Sequence, residues 1–95
     1  GIDDTALSSL TGLTNLTRLE AGFNSITDAG PLASFPLLEV LWLFNNDVKT
    51  NETTLLSLTS LTELHIPGNP NFDCSVHTTL QSNLGAGYIG PSHCP

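Results

Sequence analysis

The sequence predicts an α/β solenoid in which short strands stack into a narrow parallel sheet and return by irregular or 3₁₀ paths. Three observations carry that expectation. A nine-residue pattern recurs in three copies, spaced by 22 and 23 residues. Further apolar residues precede each copy at steps of three, and both cysteines fall near the C-terminus. Repeats of this length mark units that cannot bury an apolar face alone and must stack on a neighbour.

The copies are residues 16–24 (LTRLEAGFN), 38–46 (LEVLWLFNN) and 61–69 (LTELHIPGN). Each reads L-x-x-L-x-L-x-x-N, with Ala21 and Ile66 the only departures at the third apolar position. The L-x-L core has the period of a strand, so Leu41 and Leu43 point inward while Trp42 points outward. The triplet spacing upstream (Leu10 and Leu13; Leu32 and Phe35; Leu55 and Leu58) suits a tight return with one inward face. Stacking such coils about 4.8 Å apart makes one continuous core and a parallel sheet. Each buried leucine contributes roughly 1.5–3 kcal/mol. Asn24, Asn46 and Asn69 stand where the chain leaves each strand. Inward amides there can bond the backbone of adjacent coils, forming a ladder. Ordinary turn asparagines are the competing explanation, and recurrence in register favours the ladder.

The pattern resembles the leucine-rich repeat family over about residues 7–72. Within it, the chain is similar to the short 22-residue internalin-like class: residues 26–33 (ITDAGPLA) match that class's convex segment and depart from the plant receptor pattern. The resemblance implies about three repeat coils over residues 1–73 and a cysteine-containing C-terminal cap over residues 74–95, linked by a disulfide. In the cap, Ser75 is expected to N-cap a short helix whose one face carries Val76, Leu80 and Leu84, with Gly85 as its stop. Residues 86–95 read as loop or edge strand. A bridge between Cys74 and Cys94 would close a loop of about 20 residues and stabilise by roughly 3 kcal/mol. The N-terminal end reads as open: residues 1–3 resemble the tail of a preceding repeat, Ile2 matches Ile26, and no polar capping element precedes Leu7. Either the chain is part of a longer array, or another chain stacks on that end.

Composition narrows the partners. Arg18 and Lys49 face nine acidic residues, for a net charge of −7, which disfavours nucleic acid and anionic membrane surfaces. No stretch approaches the roughly 18 apolar residues of a membrane span, and no leader is recognisable at the N-terminus. Two cysteines in a chain with a single lysine suit one disulfide and a secreted or cell-surface setting. Asn15 and Asn51 open triplets of the N-glycosylation pattern, although Asn15 also fits the repeat consensus.

In the family the concave strand face is the usual binding surface. Its outward positions here are Arg18, Val40 and Glu63, then Glu20, Trp42 and His65, then Gly22, Phe44 and Pro67, with Phe23 beside them. The single Trp and two of the four Phe thus lie outside the core, and Trp is the residue most enriched at binding hot spots. The expected ligand-binding set is Arg18, Glu20, Phe23, Val40, Trp42, Phe44, Glu63 and His65. Strand propensity, or cover by the rest of the same protein, would also explain these aromatics. The expected function is non-catalytic extracellular recognition of a protein or other ligand. The alternative is structural self-assembly, with neighbouring copies stacking on the open coil at Ile2, Leu7 and Leu10.

Reactive chemistry finds little footing. Cys74, His77, His93 and Cys94 are a nominal zinc set, but adjacent His93 and Cys94 do not match structural zinc spacings, and a disulfide needs fewer assumptions. His77 is expected to be solvated on the cap helix. No oxyanion-hole sequence or phosphate loop accompanies Cys74, and Glu20 and Glu63 are two coils apart with no enclosing cleft. The sequence therefore predicts neither enzyme, cofactor nor metal site.

Overall fold

A computed structural model describes residues 3–95; the expected role of Ile2 lies outside them. Helix α1 (Asp4–Ser9) opens the chain. Strand β1 (Arg18–Glu20) follows, then a 3₁₀ turn at Gly30–Ser34, strand β2 (Val40–Trp42), a second 3₁₀ turn at Glu52–Ser57 and strand β3 (Glu63–His65). Helix α2 (Cys74–Leu84), a third 3₁₀ turn at Gly85–Gly87 and strand β4 (Tyr88–Ile89) complete it. The strands form one parallel sheet in chain order.

The register follows the repeat. Leu19 pairs with Leu41, Leu41 with Leu64, and Leu64 with Tyr88, so one inward layer runs through the sheet. Leu43, Ile66 and Ala21 form the next layer, and Leu32, Phe35, Leu38, Leu55 and Leu61 fill the core from the return side. The first coil departs from the pattern. Leu13 is 54% exposed and Leu10 and Leu16 are half-buried, because among the described residues no coil lies beyond them.

Asn46 and Asn69 form the expected ladder between coils, and Asn24 stands at the same place in the first coil. Asn46 Nδ2 donates to Ala21 O in the previous coil and to Leu43 O in its own, each at 3.0 Å, while Oδ1 accepts from Ile26 N at 3.0 Å. Asn69 repeats this one coil on, donating to Leu43 O at 2.9 Å and Ile66 O at 3.0 Å and accepting from Val48 N at 2.9 Å. Asn24 donates to Ala21 O and Gly22 O at 2.9 and 3.0 Å. The residue before each asparagine has positive φ: Phe23 at 57°, Asn45 at 55° and Gly68 at 76°. This left-handed kink turns the chain off the strand so that the next side chain can point inward.

Each end refines the sequence reading. Leu7, expected on the open coil, is buried, and Asp3 caps α1 by accepting from Ala6 N at 2.9 Å. Asp4 ties that turn to the next coil, accepting from Thr27 N at 2.8 Å, Thr27 Oγ1 at 2.5 Å and Asp28 N at 3.1 Å. The cap on α2 is Asp73, not Ser75, because the Asp73 carboxylate accepts from both Ser75 N at 2.8 Å and Ser75 Oγ at 2.7 Å. Val76 and Leu80 are buried and Leu84 is half-buried, as the helical spacing requires, and the chain leaves the helix at Gly85 with φ 55°. Cys74 and Cys94 are joined, with Cα atoms 5.4 Å apart.

His77 is not solvated but 5% exposed, with Nδ1 at 2.8 Å from the Tyr88 hydroxyl. The reason is β4, which brings Tyr88 over the third coil where a strand leucine would otherwise stand. Burial pushes the Tyr88 phenol pKa above its ordinary value. Gly87 permits this approach, since a Cβ there would sit 2.0 Å from Thr62 O.

Two outcomes test this frame. Asn69→Ala strands buried groups of two coils, Val48 N–H and Ile66 C=O among them, and should cost about 2–4 kcal/mol in denaturant titration. Asn24→Ala, at a half-buried rung, should cost less. The second outcome concerns acid. Burial raises the pKa of Asp4, but hydrogen bonds from Thr27 and Asp28 outweigh it and hold the carboxyl below its ordinary 3.8. Hydrogen bonds from Asn71 and Lys49 lower Asp47, and those from Ser75 lower Asp73. With folded values depressed, the unfolded chain takes up protons first as pH falls. Stability should be complete above about pH 4 and fall progressively below it. Melting curves should show this, with a shallower acid limb in Asp4→Ala.

Candidate functional site

The concave face is assembled by register. Arg18, Val40 and Glu63 form one row across the sheet, and Glu20, Trp42, His65 and Ile89 the next. Strand alternation makes these residues face away from the leucine layer. The sheet therefore gathers every expected ligand-binding residue onto one side, with Phe23 and Phe44 at the strand exits.

Trp42 is half-buried and held on several sides. From β3, the His65 ring stacks parallel to the indole, with centroids 5.4 Å apart and 5° between planes. From β1, the Arg18 guanidinium carbon lies 5.2 Å from the ring centroid. The indole N–H donates to Glu63 Oε2 at 2.6 Å, and the same carboxylate is 3.7 Å from His65 Nε2. Arg18 Nε in turn donates to Glu20 Oε2 at 2.5 Å. The sequence places Trp42 outside the core on the strand face; the structure makes it the centre of a polar and aromatic brace, because its neighbours on both strands are long enough to reach it.

The more open aromatic surface lies at the strand exits. Phe44 sits 6.2 Å from Trp42, and Phe23 meets Phe44 edge-on at 5.3 Å. A Cβ on Gly22 would fall 2.3 Å from the Phe44 ring, so glycine there is what lets Phe44 lie across the first coil. That role was not legible in the sequence, where Gly22 is only an outward position. Nor was Ile89, 49% exposed beside His65, because a two-residue strand has too few positions for a periodic signal.

Phe23 is the anomaly of the site. It is 75% exposed and occupies the left-handed region at the position that Asn45 and Gly68 fill in the other coils. Bulky residues rarely adopt this conformation, whereas Asn and Gly do so readily.

The other sequence candidates lie apart from this face. Cys74, His93 and Cys94 have ligand atoms within 4.8 Å of one another, but both sulfurs are engaged in the disulfide, and His93 Nε2 lies 3.1 Å from Phe72 O. Asn15 and Asn51 are exposed, and the Asn51 amide already donates to Asp28 Oδ1 at 2.8 Å.

Phe23→Gly should stabilise the chain by about 1 kcal/mol, the approximate cost of a left-handed non-glycine residue, since the exposed phenyl buries little of its own surface. A rise in the denaturant midpoint would confirm that the phenyl is held in spite of its backbone; a fall would mean that its packing on Phe44 matters more.

The family model for leucine-rich repeats, in two copies, matches residues 14–52. Searches of curated proteins and of solved structures found no match. Residues 14–52, which contain the first two copies of the nine-residue pattern, therefore match leucine-rich repeats, and the third copy at 61–69 joins them in one parallel sheet of the same architecture, a fold that generally serves protein binding.

Proposed function

We propose that the chain is a non-catalytic recognition module acting outside the cell, and that it binds a protein ligand through its concave strand face. Phe23 is the observation that carries this proposal. A large apolar side chain stands in solvent on a left-handed residue, where the other coils place Asn45 and Gly68. Folding gains little from it, and backbone strain of this kind concentrates at functional sites. Phe44, Trp42 and His65 extend the same surface. The disulfide favours the extracellular setting, since such bonds persist where the surroundings are oxidising.

Size limits the ligand. Four strands at about 4.8 Å spacing span only about 15 Å, far less than a standard interface of roughly 800 Å² per partner needs. A protruding segment of a partner suits this face better than a flat protein surface. A self-assembly role has its own supporting observation in the exposure of Leu13 and the partial exposure of Leu10 and Leu16 at the first coil.

Trp42 is the only tryptophan, so its emission reports on the face directly. A protein ligand titrated into the chain should shift that emission. Phe23→Ala should weaken binding by roughly tenfold or more while leaving the melting temperature unchanged or higher. Binding that survives both Phe23→Ala and Phe44→Ala would place the ligand elsewhere. Light scattering that shows oligomers dissociating on dilution, or on Leu13→Glu, would favour self-assembly.

A further inference from the structure

We propose that the concave face reads an arginine side chain on an extended segment of its partner, and that Arg18 occupies that place until the ligand displaces it. This rests on the concave-face proposal and adds the chemistry of the ligand to it.

The observation is an internal complex. The Arg18 guanidinium lies 5.2 Å from the Trp42 ring centroid and is tied to Glu20 at 2.5 Å. Glu20 is directly across from Trp42 in the register of β1 and β2. A flat aromatic face beside a carboxylate is what a guanidinium needs, one surface for stacking and one acceptor for its N–H groups. Glu63, accepting the indole N–H at 2.6 Å, polarises the ring and makes its face a better partner for a cation.

Arg18 is not locked there. Its side chain is 54% exposed and that of Glu20 48%, and exposed ion pairs hold weakly. When Arg18 swings out, Glu20 and one face of Trp42 are left without their partner, and an incoming arginine restores both interactions. Charge favours this exchange. The chain carries −7, and its other basic residue, Lys49, is paired with Asp47 at 3.3 Å, so a cationic ligand meets little repulsion once Arg18 has turned away.

Spacing adds a second requirement. The Trp42 and Phe44 rings are 6.2 Å apart, close to the roughly 6.6 Å between alternate residues of an extended chain. An arginine over Trp42 therefore brings the residue two positions away over Phe44 and the exposed Phe23. That residue should be apolar.

The test uses the whole 95-residue chain and the peptide acetyl-Gly-Arg-Ser-Leu-Gly-amide, followed by Trp42 emission and calorimetry. The peptide should bind, and its glutamine-for-arginine analogue should bind roughly tenfold more weakly or not at all. Arg18→Ala, at an exposed position, should tighten binding by roughly threefold to tenfold, because the internal competitor is gone. Glu20→Gln should weaken binding, and added salt should weaken it further. Equal binding of the glutamine peptide overturns the proposal, as does weaker or unchanged binding in Arg18→Ala. If the arginine peptide fails while an acidic protein or a neutral oligosaccharide shifts Trp42 emission, the arginine chemistry is wrong and the concave face stands. If the peptide binds Phe23→Ala and Trp42→Phe as tightly as wild type, the concave face itself is wrong.

Discussion

The repeat coils leave their strands with backbone groups that no strand pairing can reach, and at Asn46 and Asn69 one asparagine satisfies them across two coils. Asn46 and Asn69 each bond three carbonyls and one N–H spanning two coils. A buried amide of this kind is worth having only when all its groups are met, because an unpaired one costs more than a paired one gains. The ladder therefore fixes the coil length. A coil one or two residues longer must absorb the difference on the return side, where the step from 22 to 23 residues is accommodated between Asn46 and Asn69. The leucine layers supply most of the burial, but the asparagines decide which leucines meet.

The same constraint shapes the surface. To aim its asparagine inward, each coil kinks through a left-handed residue, at Phe23, Asn45 and Gly68. The kink lifts that residue's side chain out of the sheet and toward solvent. At Gly68 nothing is presented and at Asn45 a polar group is, but at Phe23 a phenyl is set beside Phe44 and, through it, Trp42. The most exposed aromatic of the face is thus a by-product of the core's polar accounting, placed at a strand exit where its own N–H is bonded to Phe44 O at 2.9 Å.

What the sequence shows and what it hides divide along physical lines. The repeat was legible because stacking imposes the same demand at nine positions in each coil, so Leu19, Leu41 and Leu64 announce a common layer before any coordinates exist. The concave rows were legible for the same reason, as strand alternation follows from the leucines. The cap was legible only in outline. Its helix showed its apolar spacing, but Asp73 competed with Ser75 as N-cap, and either side chain could have filled that position. β4 left no periodic trace, and with it went Tyr88, whose position buries His77. Trp42 falls on the expected face, but the brace around it was not legible. Outward direction follows from strand period, whereas the reach of Arg18, Glu63 and His65 onto the indole depends on side-chain torsions that no spacing encodes.

In the proposed binding role, a face this narrow cannot rely on area. Binding energy has to come from a few desolvated groups whose geometry is settled before the partner arrives, since ordering loose side chains would consume what those groups supply. The brace around Trp42 provides that preorganisation: the indole is fixed by Glu63 and His65 on one strand and touched by Arg18 on another. Gly22 does the same for Phe44 by letting its ring rest on backbone rather than on a flexible side chain. Around this centre Arg18 and Phe23 keep substantial exposure, Arg18 through a weak ion pair and Phe23 against its backbone preference. A braced centre with two exposed members at its edge suits the proposed ligand, an extended segment along the strands that packs on Phe23 and takes the place of Arg18 at the indole.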